Sequence, residues 1–114
     1  MEEVNLKDLL QQYCVEKGYD FDPEDNEGLY ETFEYSSKTV WTGEPDHHRW
    51  FTYYDVIRKL TVGGKDYFFE DTYMSVDGDN SRRDCGWSAP DVSEIVQVFP
   101  KQVLTTTYVT KDNL

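Results

Sequence analysis

The chain has 114 residues, a formal net charge of −12 and two cysteines, Cys14 and Cys85. That length makes one domain, 1–114, large enough to bury a core without disulfide staples, and the acidity argues against direct binding to nucleic acid or to an anionic membrane. Hydrophobic content is only 38%, but three Trp, nine Tyr and six Phe supply bulky core material, so wholesale disorder is not expected.

The charge is uneven. Residues 1–34 hold eleven acids against Lys7 and Lys17, a net of −9. The opening MEEVNLKDLL has neither a basic segment nor a long apolar run, and no run of about 18 apolar residues occurs. The expectation is a cytoplasmic protein with both thiols reduced.

In chain order, Asn5 is placed to cap a helix over Asn5–Lys17, with Asp8 in its first turn and Gly18 after its end. Leu6, Leu9, Leu10 and Tyr13 recur at helical spacing along it. Tyr19–Gly28 reads as an acidic loop, because Pro23 and the Asp/Glu run oppose a strand. Leu29–Thr39 reads as a strand with Leu29, Phe33 and Tyr35 on one face, and Thr42–His48 as a turn. Two β-rich runs, near Arg49–Leu60 and Asp66–Val76, flank Gly63-Gly64 and predict a central hairpin. Asp77–Asp91 is an irregular stretch for which Trp87 is the expected buried anchor. Glu94–Phe99 alternates as a strand, with a helical turn at Ser93–Val96 as the other reading, and Gln102–Thr110 is a last Val/Thr-rich strand. The predicted fold is α+β: one N-terminal helix on a curved antiparallel sheet of about five meandering strands. The helix is expected to lie on the sheet face bearing Trp50, Tyr54 and Val56.

No constellation supports catalysis, a metal or a cofactor. Asp46-His47-His48 puts adjacent histidines on opposite faces of a strand. Asp77–Ser88 begins like a calcium loop, but Arg82 stands where the turn needs glycine and Ser88 where a bidentate Glu belongs. Cys85 lacks a base and an oxyanion site and reads as a structural thiol.

The order Arg49-Trp50, Tyr53, Val56, a glycine turn, Tyr67, Gly78-Asp79-Asn80-Ser81, Asp84, Gly86-Trp87, Val96, Val98, Pro100 and Thr107-Tyr108 resembles small phage or prophage accessory proteins of bacteria, over about residues 49–109. That resemblance implies a compact inhibitor of host enzymes or of defence systems, as anti-CRISPR proteins are, and supplies no site residues.

The functional expectation is a non-enzymatic module that binds a basic protein partner, such as a nucleic-acid-binding protein whose phosphate groove an acidic loop would occupy. Asp20, Asp22, Glu24, Asp25 and Glu27 would carry the charge, and Tyr19, Phe21 and Tyr30 the desolvated contacts. Both faces of Arg49–Leu60 are half apolar, which makes Phe51 and Tyr53 a second candidate surface, for a partner or for a symmetric homodimer opposed by the −12 charge. The alternative is a small-ligand or signal-molecule binding protein with an aromatic-lined pocket.

Overall fold

The glycine pair at the middle of the chain shapes the sheet. In the computed structural model, which describes residues 3–78, 81–101 and 111, Gly63 and Gly64 take φ of 60° and 76°. Positive φ at both central residues is what a two-residue hairpin turn matched to strand twist requires. The flanking strands, β2 (Phe51–Val62) and β3 (Lys65–Val76), pair without interruption from Val62 opposite Lys65 to Phe51 opposite Val76. The predicted hairpin is present, with its first strand shifted by two residues.

An additional long strand, β1 (Lys38–His47), pairs antiparallel with β2. It occupies the segment read from sequence as the turn Thr42–His48. Gly43 and Pro45 are tolerated because β1 is an edge strand, and its register slips between Thr39 and Trp41 and again between Thr42 and Pro45. Such irregularities absorb residues that a central strand would reject.

The first helix, α1 (Leu6–Lys17), has the predicted ends. The Asn5 side chain accepts from the Lys7 N–H, and Gly18, at φ 73°, donates its N–H back to Cys14 and Val15 carbonyls. The expected strand at Leu29–Thr39 is instead a second helix, α2 (Asn26–Ser36). Its cap is Asp25, whose carboxylate accepts from the Gly28 N–H at 3.1 Å, and a Cβ at residue 28 would collide with that carboxylate. Leu29, Tyr30 and Phe33 are the buried residues, one face at helical spacing. The period-two reading of Leu29, Phe33 and Tyr35 fails at Tyr35, which is 90% exposed.

After β3 the chain makes two 3-10 turns, at Arg83–Cys85 and Val92–Glu94, and a two-residue strand β4 (Gln97–Val98) against Phe68 and Phe69. Each reading of this stretch holds over part of it: a helical turn ends at Glu94, and the strand predicted over Glu94–Phe99 is reduced to Gln97–Val98. The predicted strand Gln102–Thr110 lies outside the described residues. Among the described residues the architecture is α+β, with two helices and a curled four-stranded antiparallel sheet in the order β1-β2-β3-β4, rather than one helix and about five strands. Among the described residues no helix is long and apolar enough to cross a membrane.

The core lies at the turn end of the hairpin. Leu6, Leu9 and Leu10 of α1 and Leu29, Tyr30 and Phe33 of α2 pack with Leu60, Val62, Tyr67 and Phe69, closed by Val92. The predicted contact with Trp50 and Tyr54 does not form. The face is the expected one, but the helices sit at its other end, where the Gly63 N–H donates to Glu16 at 2.8 Å. A twelve-residue helix is about 18 Å long and a twelve-residue strand about 40 Å, so α1 covers less than half the hairpin. Trp50 is left 53% exposed.

Trp87 is half-buried rather than largely buried, packed against the core with its ring 5.8 Å from that of Tyr30 and with the Arg82 guanidinium over it at 4.1 Å. Asn26 adds a second tether, donating to the Pro90 carbonyl at 2.9 Å and accepting from the Val92 N–H at 2.9 Å. Amides from Gly86 to Val92 should therefore exchange well below unstructured-peptide rates, and Asn26→Ala should raise those rates selectively. Exchange at unstructured rates in the parent protein would show that neither anchor holds the loop.

Candidate partner-binding surfaces

A buried polar network joins α2 to the sheet and to Arg82. The Tyr30 hydroxyl and the Arg58 Nε each donate to Asp71 Oδ2, both at 2.7 Å. Arg58 lies 3.8 Å from Glu34, and Glu34 accepts a two-pronged contact from Arg82 at 2.8 and 3.0 Å. Two cations and two carboxylates balance, which lets four charges sit largely out of water. Burial, and then the hydrogen bond to Asp71, pushes the Tyr30 hydroxyl well above the ordinary tyrosine range. The bond to Glu34 raises Arg82 above its ordinary value against the opposing effect of burial. These groups are neutralised by one another and serve cohesion.

Tyr30 is thereby withdrawn from the predicted contact surface: it is wholly buried, because it sits on the inner face of α2 and not on a strand. Phe21 also packs against the core. Tyr19, Asp20, Asp22, Glu24, Asp25 and Glu27 are exposed, but several have local tasks. Asp25 caps α2, Asp22 accepts from the Glu24 N–H at 3.0 Å, and Glu27 forms an ion pair with Arg83. Asp20, Glu24 and, on α2, Glu31 make no ion pair among the described residues.

Phe51 and Tyr53 are half-buried at the opposite end of the hairpin, where His48 stacks on Phe51 at 4.6 Å and meets Tyr53 edge-on at 5.5 Å. The structure therefore does not join them to the acidic loop. His48 also contacts Asp46 at 3.2 Å, and His47 contacts Thr52. Among the described residues no three His, Cys, Asp or Glu side chains converge to hold a metal. Both cysteines are free thiols, and burial pushes the Cys14 thiol up.

Beside the loop residue Tyr19, the structure brings in Tyr13 and Tyr35, which the sequence does not mark as contact residues. Tyr13, Tyr19, Glu31 and Tyr35 line a groove of about 380 Å³ between the helices. The Tyr13 and Tyr19 rings are 6.1 Å apart, and Lys17 already holds its ammonium 5.9 Å from the Tyr13 ring. Tyr35 and Glu31 reach this groove only because Asn26–Ser36 is helical. Two larger clefts flank the sheet. One, of about 730 Å³, has Tyr35, Tyr54, Tyr73 and Arg82 in its wall. The other, of about 750 Å³, lies between the hairpin and the loop carrying Trp87. No family model, curated protein or solved structure matches this chain.

Proposed function

We propose that the chain is a non-enzymatic protein-binding module that engages a basic partner through its helical layer, and that it inhibits or modulates a nucleic-acid-binding protein. The observation that carries this reading is the juxtaposition of Tyr13, Tyr19 and Tyr35 with Glu31 around one groove, with the exposed acids Asp20, Asp22 and Glu24 following Tyr19 in the chain. Aromatic side chains supply the desolvated contacts from which affinity comes. The surrounding negative charge accelerates encounter with a basic surface. The phage-like sequence features favour an inhibitor of host or defence machinery within this class. A small-ligand role is the second reading, favoured by clefts whose volumes fall in the range of ligand sites.

The full chain, immobilised and exposed to extract of cells that express it, should retain a basic protein at low salt. The variant Asp20→Asn/Asp22→Asn/Glu24→Gln should retain much less. Asp25 is left intact because neutralising it would remove the cap of α2. Equal retention by both proteins, or retention of acidic proteins only, would overturn the reading.

A further inference from the structure

The cleft between the hairpin and the loop 86–96 has a composition that the helical groove lacks. Its walls are aromatic and apolar, with Trp41 and Tyr53 on one side and Trp87 and Ile95 on the other. Around them stand the carboxylates of Asp55, Glu70 and Glu94. Asp71 lines it too, but its carboxylate is held by Arg58 and Tyr30. No Lys, Arg or His is among the lining residues, and Asp55, Glu70 and Glu94 form no ion pair among the described residues. Thr72 makes only a long contact, 3.4 Å, to Asp55.

Three carboxylates without an ion-pair partner among the described residues give the cleft a negative charge that attracts a cation. Flat aromatic faces add attraction for a guanidinium or ammonium group, most of all for arginine, which is weakly hydrated and stacks. The sheet margin adds a shape argument. β4 pairs only with Phe68 and Phe69, and the Glu70 N–H donates to the Val96 carbonyl at 2.9 Å. Beyond Glu70 no strand lies along the outer margin of β3 among the described residues. A partner segment that paired with β3 beyond Glu70 would bring its side chains to the cleft.

The geometry points to this cleft as the receptor for an arginine or lysine side chain on an extended segment of a partner protein. The inference rests on the reading of the chain as a binder of basic proteins and adds a second contact, at a cleft that shares no lining residue with the helical groove.

The test uses the full chain and three probes: a hexa-arginine peptide, a hexa-glutamate peptide and spermine. Binding is followed by calorimetry and by tryptophan fluorescence. Glu70→Gln/Glu94→Gln removes two cleft charges at exposed positions, so a thermal melt should confirm an intact fold. Hexa-arginine should bind, hexa-glutamate should not, and the cleft variant should weaken hexa-arginine about tenfold. The helical-face variant Asp20→Asn/Asp22→Asn/Glu24→Gln, which loses more charge, should weaken it less. If the helical-face variant loses as much or more, the peptide follows overall charge and the cleft inference fails while the proposed function stands. If spermine binds as tightly as hexa-arginine, the cleft is a small-cation site and the inference is also wrong. Absence of hexa-arginine binding refutes it outright. Should the cleft variant alone lose the peptide while cellular capture ignores every acid tested, the inference survives and the proposed function falls.

Discussion

Arg58→Met should destabilise the fold by about 3–5 kcal/mol, the range expected when one partner of a buried ion pair is removed. Arg58 is only 6% exposed. Its guanidinium holds Asp71 at 2.7 Å, approaches Glu34 and donates to Thr39 at 3.4 Å. Without it, Asp71 keeps only the Tyr30 hydroxyl and its own contact to the Thr72 N–H, and a buried carboxylate is left without a cation. The double variant Arg58→Met/Asp71→Asn should recover much of the loss, because asparagine still accepts from Tyr30 and carries no charge. Urea unfolding of the three proteins gives the comparison. A loss below about 1 kcal/mol for Arg58→Met would mean that the pair is hydrated and marginal.

Phe33→Ala should cost about 3–5 kcal/mol and Leu10→Ala about 2–5 kcal/mol, as large-to-small core substitutions do. Phe33 meets Phe69 edge-on, with ring centres 5.9 Å apart at 88°, and lies at the junction of α2 and β3. Leu10 is buried in the same cluster from α1. Trp50→Ala serves as the contrast. Trp50 is half-exposed at the uncovered end of the sheet, so its loss should stay below about 1 kcal/mol despite the larger side chain. The order of the three losses tests where the helices sit. Equal losses at Phe33 and Trp50 would place the core near the middle of the hairpin instead.

The parts of the fold that were legible in the sequence are those decided by local chemistry. Asn5 and Gly18 close α1 because cap geometry needs only a few neighbouring residues. Gly63-Gly64 likewise announces its turn. The strand expected over Leu29–Thr39 is a helix as far as Ser36, a difference the spacing leaves open because Leu29, Phe33 and Tyr35 satisfy a period of two as well as Leu29, Tyr30 and Phe33 satisfy 3.6. The Asp25 cap, with Glu27 in the first turn, was the signal that separates the two. β1 was hidden by Gly43 and Pro45, whose turn-forming tendency is overridden on a bulged edge strand. The candidate surface was half legible: Tyr19, Asp20, Asp22 and Glu24 are where the loop reading put them, exposed. Tyr30 was not, because its fate depends on Asp71, which accepts from its hydroxyl and is held in turn by Arg58, on two strands 28 or more residues away. The cleft at the β3 margin was invisible for the same reason, since Trp41, Glu70 and Glu94 belong to three separate segments brought together only by the sheet.

The central claim is that the acidic helical layer recruits a basic partner. Its most direct measurement is the association rate constant with the captured partner as a function of ionic strength, for the parent chain and for Asp20→Asn/Asp22→Asn/Glu24→Gln. Electrostatic steering raises association rates by about 10–10³-fold and fades as the Debye length shrinks. The parent rate should therefore fall steeply with salt, and the triple variant should start about tenfold lower at low salt and approach the parent at high salt. A parent rate that is flat in salt and unchanged by the three substitutions would contradict the claim.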